Sequence, residues 1–147
     1  MRKKVFSAVI VCGLLAMVTA ATAYAQMPGT VVRARIPFDF KVRGKTLSAG
    51  DYEIRRLSDA PDGLEILSVN DKHERAFFVT EPVQPRAFPR RGEIVFHRYG
   101  DTYFLSEIFA GGDRTGRELL RSHQERDLRR EMASNKTEPE TVALAAY

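Results

Sequence analysis

A chain of 147 residues, 44% hydrophobic and 29% charged, is long enough for one domain with a buried core and too apolar to be a disordered segment. Its formal net charge of +4 owes three positive charges to Arg2, Lys3 and Lys4, and its one cysteine is Cys12. If these four leave with a leader, the remainder is nearly neutral and free of thiols, which excludes a disulfide framework and removes the electrostatic case for nucleic acid.

The N-terminus reads as such a leader. Met1-Arg-Lys-Lys4 is a basic start, Val5 to Ala21 is an uncharged apolar run, and Ala23-Tyr-Ala25 is the small-x-small pattern that signal peptidase cleaves. A retained anchor is the competing reading, because the run approaches the ~20 residues of a bilayer span. Its alanine-rich end favours removal. Lipidation at Cys12 is disfavoured, since Val9-Ile-Val11 supplies no small residue before it. Cleavage after Ala25 takes the 147 residues to 122 and the 23 Lys+Arg to 20, against 19 Asp+Glu. The expected organisation is a leader at 1–25, a β-rich domain at 26–112, a helix within 113–133 packed on it, and a disordered tail at 134–147.

In the β-rich part, Val32, Ala34, Ile36, Phe38 and Phe40 alternate with Arg33, Arg35, Pro37 and Asp39, the period of a strand with one buried face. Pro37 makes it an edge or bulged strand. Turn chemistry at Arg43-Gly44, at Leu47 to Asp51, at Ser58 to Gly63 and at Asn70 to Lys72 separates further strands at Tyr52 to Leu57, Leu64 to Val69 and Ala76 to Thr80. Short strands at this spacing predict a mainly β fold: a small antiparallel β-sandwich or barrel-like domain with one C-terminal helix.

Glu81 to Gly92 holds three prolines and reads as a long loop, with Arg86, Arg90 and Arg91 around Phe88. These four residues are the candidate contact with an anionic partner. The alternative is an ordinary solvated crossover.

Glu93 to Phe109 forms a hairpin about Gly100-Asp101, a two-residue turn with glycine at its first central position. The pairs are then Tyr99 with Thr102, Arg98 with Tyr103, His97 with Phe104, and Phe96 with Leu105. Ile94, Phe96, Tyr103 and Leu105 share one face; Val95, His97, Tyr99, Phe104 and Ile108 share the other. Both faces are apolar enough to need a cover, and the C-terminal helix is the candidate for the second. That helix is expected to start from a capping box at Thr115-Gly-Arg-Glu118 and to run to about Ala133, with Glu125 and Arg129 paired along its surface.

Chemistry has few candidates. His73, His97 and His123 lack metal-ligand spacing, and no nucleophile elbow, zinc-protease helix, phosphate loop or dinucleotide fingerprint is present. No metal or cofactor is expected. His97, Asp101 and Glu107 form the alternative, catalytic candidate, although alternation separates His97 from Arg98. An Arg98 to Tyr103 cation-π pair explains the same hairpin without catalysis.

The segments Ile36-Pro-Phe-Asp-Phe40, Gly44-Lys-Thr-Leu-Ser-Ala-Gly-Asp-Tyr52, Phe96 to Glu107 and Gly116-Arg-Glu-Leu119 resemble a family of small exported proteins of unknown function, numerous in acidobacteria. The resemblance spans nearly the whole chain after the leader and implies no activity. Ser48 departs from it by replacing a usual proline, which is expected to loosen that turn.

Two function classes follow. The first is a non-catalytic binding or structural module of the periplasm or cell envelope, with an anionic envelope polymer or another envelope protein as partner. The second is a small envelope enzyme built around the Phe96 to Glu107 hairpin. An outer-membrane barrel is remote, because the strands are too short to face lipid. N-terminal sequencing of exported material is expected to begin at Gln26; recovery of intact Met1 in the membrane fraction would overturn the leader.

Overall fold

Alternation builds a closed wall around one apolar interior. The computed structural model describes residues 29–85 and 90–147, so the leader and its cleavage site lie outside the described residues. Ten strands are described: β1 (Thr30–Ile36), β2 (Phe40–Val42), β3 (Lys45–Leu47), β4 (Gly50–Leu57), β5 (Ala60–Ser68), β6 (Arg75–Val83), β7 (Gly92–Tyr99), β8 (Thr102–Phe109), β9 (Gly116–Leu119) and β10 (Glu140–Ala146). One helix, α1 (His123–Ser134), lies between β9 and β10.

The strands follow the path β1-β4-β5-β6-β9-β8-β7-β10, all neighbours antiparallel. The path then returns to β1: the Arg33 amide donates to the Tyr147 carbonyl at 2.8 Å, and the Tyr147 amide donates to the Arg33 carbonyl at 2.9 Å. The fold is therefore mainly β and barrel-like, with one C-terminal helix. Val32, Ala34, Ile36, Ile54, Leu64, Ile66, Phe78, Ile94, Phe96, Leu105 and Ile108 fill it. The short β2–β3 hairpin joins β8 in parallel and contributes Phe40, Val42 and Leu47 to the core, Phe40 meeting Tyr52 and Phe96 edge to face.

Several elements differ from the sequence expectations, each for a local reason. The single strand expected from Val32 to Phe40 is split: β1 ends at Ile36, and Pro37, which has no amide to donate, marks the break. Phe38 in the gap stacks on Tyr103 with ring centroids 3.8 Å apart. The Ser58 to Gly63 turn contracts to Ser58-Asp59, because Leu57 already pairs with Ala60 and the next residues bulge before Arg56 meets Leu64. β6 extends to Val83, since it leaves β5 after Val79 and takes β9 as its partner from Thr80 onward.

The hairpin keeps the expected register from Tyr99–Thr102 to Phe96–Leu105, and Gly100 has φ +61° as that turn requires. Arg98 lies 5.4 Å from the Tyr103 ring centroid, the expected cation-π contact. Beyond Phe96 a bulge intervenes. Val95 pairs with Glu107 and Ile94 with Ile108, so Ser106 is the extra residue and Ile108 turns into the core instead of sharing the face of His97.

The expected start of the helix is also corrected. Gly116–Leu119 is a strand, because it fills the space between β6 and β8. Gly116 is required there: a Cβ would fall inside the Phe109 ring. The N-cap of α1 lies seven residues further along at Ser122, whose Oγ accepts the Glu125 amide at 3.2 Å, while the Glu125 carboxylate turns away to the sheet instead of closing a box. Nor is the segment 134–147 disordered. Its last part is β10, paired along β7 from Glu140–Arg98 to Ala146–Gly92.

Ser48 is held rather than loose. Its hydroxyl donates to Glu74 Oε1 at 2.6 Å and its amide to the same oxygen at 3.2 Å, while Tyr52 Oη donates to Glu74 Oε2 at 3.0 Å. The Ser48 bonds hold the Glu74 carboxyl below its usual range, and burial together with Glu74 pushes the Tyr52 phenol well up. Proline at position 48 would remove the amide bond, so the hydroxyl and amide together tie the β3–β4 turn to Glu74. Replacing Gly100 by valine is expected to destabilise the fold by about 1 kcal/mol or more, because a β-branched residue resists positive φ. Chemical denaturation of Gly100→Val checks this.

Candidate functional site

The outer face of the β7–β8 hairpin carries the polar constellation of this protein. Strand alternation and the Ser106 bulge bring His97, Tyr99 and Ser106 to the same side as Val95, Phe104 and Phe109, away from the barrel interior. Helix α1 lies over this face and covers it, as the amphipathic logic of the hairpin requires. The contact is unusual in being polar: Glu125 is the one buried residue of α1.

Glu125 is 4% exposed, and its carboxylate faces the sheet. Oε1 lies 3.1 Å from His97 Nδ1 and accepts from Tyr99 Oη at 3.3 Å; Arg121 Nε stands 3.9 Å away. His97 Nε2 lies 3.3 Å from Ser106 Oγ. An ionised carboxylate only accepts, so a neutral ring satisfies both contacts when Nδ1 carries the proton and Nε2 accepts from the serine hydroxyl. Burial and the Glu125 charge push the Tyr99 phenol up. The expected Glu125–Arg129 surface pair is absent because Glu125 points inward. Lys41 of β2 adds a second tie at the same end of α1, donating to Gln124 Oε1 at 2.9 Å.

A helix seated on one side chain leaves space along both flanks. A cavity of about 620 Å³ on one side is walled by Arg126, Arg129 and Arg130 from the helix, by Arg121 just before it, and by Glu81 and Glu118 from the sheet. A second, of about 590 Å³, exposes His97 and Tyr99 beneath Arg121, Arg129, Lys136 and Glu138. Arg121 and Arg129 belong to both. Glu81, Glu118 and Glu107 form one row across β6, β9 and β8, a like-charge arrangement that the arginines of the first flank offset.

The candidates from sequence are distributed differently. His97 is central, but Asp101 sits at the exposed hairpin turn beside Arg98, 3.8 Å away. Glu107 lies on the outer face one pair beyond the bulge, opposite Val95. Arg86 and Phe88 lie outside the described residues; Arg90 and Arg91 are exposed, with Arg91 beside the β10 end at Gly92 and Tyr147. Sequence reading missed Glu125 and Ser106 as partners of His97, and Arg121 as a neighbour of Glu125, while it placed Tyr99 on the His97 face. The Ser122-x-x-Glu125 capping pattern was the available signal for where the helix begins and hence for which face Glu125 takes.

Among the described residues no group of three or more His, Cys, Asp or Glu side chains is arranged to hold a metal ion, and no helix is long and apolar enough to cross a membrane. Comparison with protein-family models, with curated proteins and with solved structures gave no match.

Removing the carboxylate strands its partners under the helix. Glu125→Ala is expected to destabilise the protein by about 1–3 kcal/mol, the range for leaving buried polar groups unpaired, and Glu125→Gln by less. Urea unfolding followed by far-ultraviolet circular dichroism measures both, and an unchanged midpoint for Glu125→Ala would show that α1 is held elsewhere.

Proposed function

We propose that this is an exported, non-catalytic binding module of the periplasm or cell envelope, and that it takes an anionic envelope polymer or the charged face of another envelope protein in the cleft beneath α1. The observation that carries the reading is the seating of α1: Glu125 alone is buried, and both flanks remain open with Arg121 and Arg129 on each wall. Guanidinium groups presented in a concave, partly enclosed site suit forked contacts to carboxylate or phosphate oxygens. The export step rests on the leader pattern at 1–25, and the family resemblance agrees with it.

The order Ser106, His97, Glu125 favours a second reading, since a hydroxyl beside an imidazole that is oriented by a carboxylate is the arrangement of nucleophilic hydrolases. Exposure separates the two readings. Ser106 is 4% exposed and is absent from the walls of both cavities, so a ligand in the cleft meets His97 and Tyr99 but not the hydroxyl. The chain of hydrogen bonds then serves to seat the helix.

Arg86, Arg90 and Arg91 remain the second proposed contact. Purified protein is expected to bind cell-wall and lipopolysaccharide fractions at low salt and to release them at high salt, because exposed charge contacts contribute only about 0.2–1 kcal/mol each and are screened. The double variant Arg121→Ala/Arg129→Ala is expected to lose this retention while folding normally. Loss confined to Arg86→Ala/Arg90→Ala/Arg91→Ala would move the site to the loop.

A further inference from the structure

The two flanks of α1 are not equivalent. On the first, which also includes Arg121 and Arg129, the other two arginines are engaged within the protein, Arg130 with Asp127 at 3.5 Å and Arg126 with His123 at 2.8 Å, and two carboxylates, Glu81 and Glu118, face them from the opposite wall. On the second, the terminal nitrogens of Arg121, the guanidinium of Arg129 and the ammonium of Lys136 make no side-chain hydrogen bond among the described residues, and the one carboxylate on that wall is Glu138. Arg121 directs Nε toward Glu125, which leaves its two terminal nitrogens for another acceptor.

Lys136 is placed there at a conformational cost. Asn135 caps α1, and the next two amides close the helix end in the Schellman pattern: Lys136 N–H to the Ala133 carbonyl at 3.1 Å, and Thr137 N–H to the Met132 carbonyl at 2.9 Å. That pattern puts Lys136 at φ +55°, the position glycine ordinarily fills. A lysine near a helix C-terminus does answer the helix dipole. That role, however, is open without strain in the last turn of α1, which holds no basic residue. The strained backbone thus sets an ammonium on the same wall as the Arg129 guanidinium and the terminal nitrogens of Arg121.

We infer that the flank formed by Arg121, Arg129 and Lys136 is a subsite for a phosphate group, seated over His97 and Tyr99. The inference rests on the cleft reading above and narrows it to one ligand chemistry and one side of the helix. Two planar guanidinium forks and one compact ammonium suit a tetrahedral oxyanion, whose oxygens accept from several directions at once. Such an anion also relieves the repulsion among three cations grouped in a concavity.

The test titrates the purified protein with inorganic pyrophosphate at constant ionic strength by calorimetry, alongside Lys136→Gly, Lys136→Arg and, as a control for lost charge, Lys72→Ala. Lys136→Gly is expected to raise the melting temperature by removing the strained side chain, yet to weaken pyrophosphate binding about fivefold. Lys136→Arg should retain most of the affinity, and Lys72→Ala should match the parent protein. Sedimentation with vesicles of phosphatidic acid in neutral lipid separates the sources: co-sedimentation that Lys136→Gly weakens supports a lipid headgroup, and pyrophosphate binding without co-sedimentation supports a soluble phosphoester. No binding to either probe, or equal affinity in Lys136→Gly and the parent, overturns the subsite. Envelope retention that survives Lys136→Gly but not Arg121→Ala/Arg129→Ala overturns it as well and leaves the cleft reading standing.

Discussion

The buried carboxylate of Glu125 is the contact on which everything outside the barrel depends. A negative charge placed under a helix is costly unless nearly every lone pair is used. Here an imidazole and a phenol meet one carboxylate oxygen, with a guanidinium nearby, and the helix cap that positions the residue is Ser122, three residues earlier in the chain. The seat is directional in a way that an apolar contact is not. A leucine at position 125 would let the helix roll and settle onto Phe104 and Val95; the carboxylate holds it at one height and one rotation. The open flanks follow from that choice.

The barrel supplies the platform, and its weakest part is its closure. With no cysteine among the described residues, no disulfide there staples the fold, and packing, main-chain bonding and side-chain bonds hold it. β7 and β8 are apolar on both faces, so the free edge of β7 would invite pairing with another chain if it were left bare. β10 covers that edge from Gly92 to Arg98, and main-chain bonds between Arg33 and Tyr147 join its end to β1. The last two residues of β10 are alanines, which fits the approach of Ala146 to Gly92, where a Cβ on Gly92 would meet Val32 and Ala146 at 3.1 and 3.2 Å. One strand from the C-terminus thus completes a wall begun by a strand from the N-terminal part.

What was legible in the sequence was whatever depended on near neighbours along the chain. Period-2 alternation gave β1, turn clusters gave the approximate places of β4, β5 and β6, and the glycine turn gave the hairpin register as far as Phe96, because a two-residue turn fixes the pairs beside it. The Ser106 bulge was not legible: nothing local announces an extra residue, and it alone decides that Ile108 faces inward and Ser106 meets His97. The start of the helix was ambiguous for a physical reason. Thr115-x-x-Glu118 and Ser122-x-x-Glu125 are both capping patterns, and the first lost because edges of β6 and β8 stood ready to take Gly116–Leu119 as a strand. β10 escaped notice because Ala143 and Ala145 look outward and carry no polar mark to set off Val142 and Leu144. Of the site, His97 was visible as an imidazole in a strand with Tyr99 on the same face; Glu125 and Ser106 join them only through the helix packing and the bulge.

The same contrast orders the charges. Local sequence counts seven basic and seven acidic residues between Asp113 and Glu140, a balance that reads as a solvated surface. Folding sorts them. Glu125 is drawn inward, Glu118 is drawn into the sheet beside Glu81 and Glu107, Asp127 stays with Arg130, and Glu140 goes with β10 to meet Arg98 at 3.2 Å. Arg121 and Arg129 are left lining both flanks, with Lys136 joining them on one, while the carboxylates near them in sequence are turned inward or held elsewhere. A neutral composition is therefore compatible with a locally cationic concavity, and it is the placement of the carboxylates rather than the number of arginines that creates it.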